Sequence, residues 1–338
     1  MSTPTTFKAW SVTQLGEPQD ALELNELETP TPGPGQVLIR VLAGASNFPD
    51  VLMARGEYQV KPELPFVLGR EVCGEVIEAG AEVTRAAVGD RVLGFAALPY
   101  GGFAEYALMD QETMHLAPAS LDDAQASCLF IGYQTGWFGL HRVAKIKSGE
   151  TLLVHAAAGG VGSAAIQLGK AAGAKVIGVV GGAAKAAYAK ELGADLVIDR
   201  REQDFVEAVK EFTGGRGADV IYDPVGGDVY KRSTKCIAFE GRIIVVGFAG
   251  GEIQSVALNH ALIKNYSIMG LHWGLYNAND PQAVDDCHKE LCRLADEGSI
   301  SPFVSEQFSM DGVPAALQRL ADGKTVGRVV MEHEGTAQ

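Results

Sequence analysis

Residues 151–180, TLLVHAAAGGVGSAAIQLGKAAGAKVIGVV, leave this chain few choices of fold. An apolar run ends near His155, a glycine-rich turn follows, a helix is predicted from about Val161, and a second apolar run closes the unit. That order is one βαβ crossover. Its turn suits a dinucleotide pyrophosphate, because small residues let the backbone approach the phosphates and the helix N-terminus receives their charge. Ala158, Gly159, Gly160, Val161 and Gly162 are the expected cradle. Gly159 serves the close approach and Gly162 the packing of helix on strand. Ala157 stands where the first glycine of the usual G-x-G-x-x-G pattern would be.

The alternation continues downstream. Apolar strands DLVID, DVIYDPV and RIIVVGF are separated by segments whose helices are predicted to begin near Ala184, Gln203 and Asp228. Strands alternating with helices imply a parallel sheet covered on both faces. The region before it differs. Turn clusters such as TPTPGPG separate alternating strands such as QVLIRVLAGA and EVCGEVIEA, predicting a mostly antiparallel β domain. Between the two, DDAQASCLFIGYQTGWFGLHRVA has an acidic start and helical spacing. A helix near 281–297 and a last strand GRVVME complete the pattern. The predicted organisation is a β domain over 1–125, a nucleotide-binding domain over 126–268, and a return to the first domain over 269–338.

Composition bounds the partners. The chain of 338 residues carries a net charge of −14, which argues against a nucleic-acid partner, since that needs a basic face. No apolar run approaches the roughly 20 residues of a membrane-spanning helix, and MSTPTTFKAW lacks the basic and apolar regions of a signal peptide. A cytoplasmic protein is expected. Its five cysteines are scattered and contain no C-x-x-C, so neither a disulfide framework nor a zinc knuckle is predicted.

The choice between dinucleotides turns on the end of the second strand, where an NAD site usually carries an acid for the ribose hydroxyls. Here Val180 and Gly181 occupy that place. Nothing there repels a 2′-phosphate, and Lys185 and Arg200 are placed to pair with one. NADPH (NADP+) is the expected cofactor.

Taken with PGPGQVLIRVLAGASNFPDVLMARGEY, LPFVLGREVCGEV, VGDRVLGF, GGFAEYALM, ELGADLVID, GRGADVIYDPVGG and GRIIVVGFAGG, the chain resembles the medium-chain dehydrogenase/reductases over nearly its whole length. It is most similar to their zinc-independent quinone oxidoreductase branch. The resemblance implies an α/β fold: a GroES-like β domain plus an inserted Rossmann domain with a parallel doubly wound sheet. It also implies a homodimer, often formed through an edge strand of the Rossmann sheet. In the zinc-dependent relatives a cysteine and the histidine of a G-H-E motif hold the catalytic metal. The corresponding residues here are Asn47 and Arg70, and a guanidinium has no lone pair to give zinc. Residues 93–107, where those relatives carry a structural zinc loop, contain no cysteine. No metal is expected, and alcohol oxidation of the zinc type is excluded.

The implied reaction is hydride transfer to a quinone, or to the C=C–C=O system of an enoyl-CoA or another α,β-unsaturated carbonyl compound. Such a reaction needs a shaped pocket and hydrogen-bond donors more than a strong base. By the same resemblance Tyr58 and Asn47 are the candidate catalytic donors, Asn47 also lies near the nicotinamide and its ribose, and Asp50, Tyr58, Arg70 and Trp273 belong to the substrate pocket. Tyr58 has the alternative of an aromatic that only packs on substrate, and Asn47 that of a turn amide. Asp50 is expected to orient the loop. Arg70 either pairs with Glu71 or Asp50 or contacts an anion. Thr135 is assigned to the nicotinamide carboxamide. Gly247, Phe248, Leu271 and Trp273 line the nicotinamide pocket, Trp273 and Phe248 being equally suited to the core. Arg328 is assigned to a cofactor phosphate. Lys61, Arg142 and Lys264 are candidates for a CoA phosphate. A different class of protein, an NADPH-binding sensor or structural protein with little catalysis, fits the same glycine turn.

Overall fold

The computed structural model describes residues 3–333; positions 1–2 and 334–338, the ends of the first and last predicted segments, lie outside the described residues. The chain divides into two compact units. Gly132–Ile300 forms one, and the described residues up to Ile131 and from Ser301 onward form the other.

The first unit starts with β1 (Thr6–Val12) and β2 (Leu22–Glu28), paired antiparallel. Then come β3 (Gln36–Ala45), α1 (Phe48–Ala54), β4 (Phe66–Val67), β5 (Glu71–Ala79), β6 (Arg91–Ala96) and β7 (Tyr106–Leu116). β3 pairs antiparallel with both β5 and β7, while β6 bridges β5 and β7, so these four strands close on themselves. Inward residues of these strands, among them Val37, Ile39, Val72, Val92 and Met109, build one apolar core with Met53 of α1 and Phe66 and Leu68. Closure leaves few free edges, which suits alternating strands with one apolar face.

The second unit holds β8 (Thr151–Val154), α2 (Gly160–Ala171), β9 (Lys175–Val180), α3 (Ala183–Glu191), β10 (Leu196–Asp199), α4 (Phe205–Phe212), β11 (Ala218–Asp223), α5 (Gly227–Ser233), β12 (Ile237–Val245), α6 (Leu258–Lys264), β13 (Ser267–Gly270) and α7 (Pro281–Asp296). Its sheet runs β10-β9-β8-β11-β12-β13, all parallel, so the strand order reverses between β8 and β11. β8 and β11 are buried along their whole length, as strands covered on both faces must be. The chain then returns to the first unit with β14 (Val304–Phe308), α8 (Val313–Ala321) and β15 (Arg328–Glu332), and β15 pairs with β3.

Two expectations change. The return begins at Ser301, not 269, because β13 pairs with β12 from Arg242↔Ser267 to Val245↔Gly270 and α7 packs on the helical turn Gln134–Trp137. Residues 122–144 are also not one uniform helix. Helical turns Asp123–Ser127 and Gln134–Trp137 alternate with π-helical stretches Leu129–Tyr133 and Phe138–Val143. The division between the units falls inside the first π stretch.

Candidate functional site

In the second unit, Ala156 takes a left-handed conformation at φ 48° two residues after β8, and its carbonyl accepts from the Gly159 N–H at 2.8 Å. Gly159 then caps α2 in an extended conformation. A Cβ at position 162 would lie 2.2 Å from the Ala156 carbonyl oxygen, so only glycine lets the helix sit this close to the strand. The N–H groups of Gly160, Val161 and Gly162 form the first helical turn and have no acceptor within the helix. Donors so arranged, with the helix dipole behind them, suit a phosphate.

Gly181 and Gly182 follow β9. Because Gly181 has no side chain, the Nε of Arg200 comes within 3.2 Å of where its Cβ would be. A guanidinium nitrogen of Arg201 comes within 3.0 Å of the same point on Gly182. Asp199 holds this geometry, its carboxylate accepting from the N–H of Gly182 at 2.9 Å and of Arg201 at 3.0 Å. Lys185, in the first turn of α3, belongs to the same cluster. Burial, then the charges of Arg201 and Arg200, push its ammonium below the usual lysine range. Arg201 is a member that the sequence reading did not name.

Of the remaining cofactor candidates, Gly247, Phe248, Leu271 and Trp273 follow the carboxyl ends of strands, the ligand-binding edge of such a sheet, and Thr135 lies on the helical turn Gln134–Trp137. Gly247 and Phe248 follow β12, and Phe248 is exposed. Leu271 follows β13 and donates its N–H to the Val245 carbonyl at 3.0 Å. Trp273 and Thr135 are buried within this unit. Arg142 pairs with Asp280 at 2.7 Å, and the Lys264 ammonium donates to the Thr234 carbonyl at 2.9 Å, so both CoA candidates already have partners in this unit. Lys61, in the first unit, is exposed.

In the first unit, Asn47, Glu71 and Arg328 form one buried network. The Arg328 guanidinium pairs with Glu71 and donates to the Asn47 amide oxygen at 2.9 Å. The Asn47 amide nitrogen donates to Glu71 at 2.9 Å and to the Ala45 carbonyl at 3.2 Å. The other Glu71 oxygen accepts from the Ile131 N–H at 2.6 Å. Two expectations are corrected here. Arg328, assigned to a cofactor phosphate, is enclosed and held by Glu71. Asn47, assigned as a catalytic donor, has spent both amide hydrogens inside the unit; it ties α1 to β3 and β5.

Asp50 is fully enclosed and accepts three backbone N–H groups, from Asn47 at 2.8 Å, Gly69 at 3.1 Å and Arg70 at 3.3 Å. These bonds tie the start of α1 to the Gly69–Arg70 turn before β5. Burial raises the Asp50 pKa to about 6 against the pull of those donors, and the Glu71 charge raises it further. The sequence carries no sign of this shift. Tyr58 packs at the edge of the apolar core. Burial raises its phenol pKa, the Arg70 charge opposes that rise, and Asp50 adds to it.

Arg70 does not pair with Glu71, whose carboxylate is taken by Arg328, Asn47 and the Ile131 N–H. Its guanidinium lies 4.9 Å from the centroid of the Phe95 ring, in the electrostatic range of Asp50 and Tyr58. The expected ion pair is therefore absent among the described residues. Among the described residues, no three His, Cys, Asp or Glu side chains gather as a metal-binding group.

Comparison with known proteins bears on both units. Residues 33–119 match the alcohol dehydrogenase GroES-like domain, and residues 160–289 match the zinc-binding dehydrogenase family. A quinone oxidoreductase-like protein 2 homolog of Nematostella vectensis is 40% identical over 96% of this chain and 88% of its own length. A mycobacterial protein solved in complex with NADPH is 31% identical, with a TM-score of 0.88 over 96% of this chain and 99% of its own. The quinone oxidoreductase of Pseudomonas syringae pv. Tomato DC3000 is 34% identical, with a TM-score of 0.87 over 96% and 99% of the two chains. The CurK enoyl reductase is 26% identical, with a TM-score of 0.86 over 98% and 100%. A GroES-like unit together with a six-stranded parallel sheet of the Rossmann type, matched over nearly full length, places this chain among the quinone oxidoreductase-like oxidoreductases of the medium-chain dehydrogenase/reductase superfamily.

Proposed function

We propose that this protein is an NADPH-dependent, zinc-independent reductase that delivers hydride to a quinone. The observation that carries this reading is the trio Lys185, Arg200 and Arg201 gathered at the end of β9, which carries no acid of its own and has the single carboxylate of Asp199 beside it. Three cations beside the one carboxylate of Asp199 leave a net positive charge, and an anion with two negative charges balances it. The 2′-phosphate of NADPH is such an anion, and the relative solved with NADPH supports the choice. The N–H groups of Gly160, Val161 and Gly162 hold the pyrophosphate, and Thr135, Gly247, Leu271 and Trp273 border the nicotinamide.

NADPH supplies the hydride when bound. The chain supplies orientation, exclusion of water and the proton. Tyr58 is the proton donor: its phenol stays protonated at neutral pH and delivers the proton to the acceptor oxygen. Asn47 and Asp50 fix the start of α1, the helix that leads into the segment carrying Tyr58. The similarity to an enoyl reductase favours a second reading, reduction of an enoyl-CoA or other conjugated carbonyl compound by the same residues. The active form is a homodimer, joined at the open edge of β13 beside α6, none of whose residues is buried.

The test is NADPH oxidation by purified protein with benzoquinone, naphthoquinone, a conjugated aldehyde and crotonyl-CoA, with NADH in parallel. Replacing Arg200 and Arg201 together by alanine is expected to raise the KM for NADPH at least about tenfold, the loss of a charge-assisted contact, and to leave that for NADH unchanged. Faster turnover of crotonyl-CoA than of any quinone favours the second reading. NADPH binding without turnover of any acceptor overturns both and returns the protein to a sensor role.

A further inference from the structure

Arg70 is a half-buried charged group of the first unit that makes no ion pair among the described residues; Asp50, Tyr58 and Asp110 act on it only at longer range. The Arg70 backbone is fixed on both sides: its N–H donates to Asp50, and its carbonyl accepts from the Ala96 N–H at 2.9 Å. Gly69 before it takes φ 91°, and a Cβ there would meet the Phe103 nitrogen at 2.6 Å. The side chain therefore leaves this point in a set direction, across the face of Phe95.

The neighbouring acids are spent elsewhere. Glu71 is saturated by Arg328, Asn47 and a backbone N–H, and Asp50 turns its two oxygens to three backbone N–H groups. Arg70 has no carboxylate partner among the described residues. A guanidinium stays charged at any working pH and carries five N–H donors. Half-burying that charge without an ion-pair partner has a cost, and the ring face of Phe95 returns only about 0.5–2 kcal/mol. A guanidinium so placed can receive an anion through its planar fork of N–H donors. Tyr58 lies in its electrostatic range.

We propose that the Arg70 guanidinium is the oxyanion-binding group of the acceptor site, receiving the carbonyl oxygen of the quinone or conjugated carbonyl compound as that oxygen becomes negative. The inference rests on the reductase reading above and names the part of the acceptor that the protein recognises. Hydride from NADPH forms a C–H bond at the electrophilic carbon and leaves NADP+. The π electrons move to the carbonyl oxygen, whose charge the Arg70 N–H groups hold. The Tyr58 O–H bond breaks as an O–H bond forms on that oxygen, and a water-derived proton restores the phenol. Arg70 itself keeps its protons. It does by hydrogen bonding and charge what a metal does for the zinc-dependent relatives, at the position where they keep a ligand.

The experiment compares the full-length protein with Arg70→Met and Arg70→Lys. It reads three quantities: kcat and KM on the better acceptor of the panel, the NADPH dissociation constant by fluorescence, and the ionisation of bound 4-nitrophenol by absorbance. Arg70→Met is expected to lower kcat about 10²–10³-fold, the usual loss on removing an oxyanion donor, with NADPH affinity within about twofold. Arg70→Lys is expected to recover part of kcat. The wild type is expected to bind the probe as its phenolate below the probe's pKa in solution, and R70M to lose that preference. A purely structural Arg70 would leave the ionisation of the probe unmoved.

Unchanged kcat and an unchanged probe in R70M would overturn the inference while leaving the reductase standing. A rise in KM confined to substrates bearing a phosphate or carboxylate, with kcat intact, would overturn it in favour of a remote anion contact. A wild type that binds the phenolate through Arg70 yet reduces nothing would sink the reductase reading and keep the anion site. Should R70M fail to fold, R70K carries the same measurements, because lysine retains the charge and loses the planar fork.

Discussion

Asp50 and His155 are both enclosed, and they pull the pH dependence of stability in opposite directions. Burial, with a smaller contribution from Arg232, lowers the His155 pKa to about 3, so the folded protein holds it neutral, its Nε2 2.8 Å from the Ser233 hydroxyl. The unfolded chain takes up that proton near pH 6.5. Between about pH 3 and 6.5 it therefore binds more protons than the fold at this site, and stability rises with pH. Asp50 has the opposite sign. Its folded pKa of about 6 lies above the unfolded value near 3.9, so the fold binds the extra proton and stability falls as pH rises from 4 to 6. Denaturant melts of His155→Gln are expected to change the slope between pH 4 and 6 by about −1.4 kcal/mol per pH unit relative to wild type, one proton's worth. Asp50→Asn is expected to change it by the same amount upward. Asp50→Asn also sets an amide N–H₂ against backbone donors, at a cost of about 1–3 kcal/mol at neutral pH. Parallel slopes in all three proteins would mean that neither group titrates as its burial demands.

Among the elements, the strands and α2 were legible because their signals are local. The fully apolar runs of β8 and β11 read as covered strands, and the glycine turn before α2 is needed by a contact six residues away, Ala156 to Gly162. The Asn47–Glu71–Arg328 network was not legible, because its members are 24 and 257 residues apart in the pairs Asn47–Glu71 and Glu71–Arg328, and no periodicity connects them. The same limit hid the pairing of β13 with β12 and moved the predicted return point. Residues 122–144 misled differently: helical spacing does not distinguish α from π turns, which only backbone hydrogen bonding separates. Two measurements follow. Arg328→Met leaves Glu71 buried without its cation and is expected to cost about 3–5 kcal/mol in chemical denaturation, with Arg328→Met/Glu71→Gln recovering part of it. Gly162→Ala drives a methyl into the Ala156 carbonyl and so displaces α2 from β8. It is expected to weaken NADPH binding at least about tenfold by fluorescence titration, the cost of misplacing the helix N-terminus by a fraction of an ångström. Wild-type affinity in this variant would remove the glycine turn from the phosphate site.

Across the whole molecule, the net charge of −14 keeps copies apart at long range, so self-association needs a short-range apolar contact. The second unit offers one. Ile253, Leu258, Leu262 and Ile263 are each more than 70% exposed, all on or just before α6, and α6 leads into β13, whose outer edge has no strand partner among the described residues. A row of bare apolar side chains beside an open strand edge is an aggregation hazard unless something covers it. A second copy related by a twofold axis does so by pairing β13 with β13, which satisfies the open backbone groups and buries both apolar rows at once. Light scattering on the eluting protein is expected to give about twice the chain mass of 35.7 kDa. Leu262→Glu with Ile263→Glu is expected to give the single-chain mass with little change in the melting of each unit, because neither side chain is part of a core. The charged variant also separates assembly from catalysis. Each unit carries its own charged site, Lys185 with Arg200 and Arg201 in one and Arg70 with Tyr58 in the other, and neither includes α6. The monomer is therefore expected to oxidise NADPH at a rate within a few fold of the wild type. A wild type that elutes as a monomer at tens of micromolar would end the dimer proposal, and a monomeric variant without activity would show that the interface also supports the acceptor site.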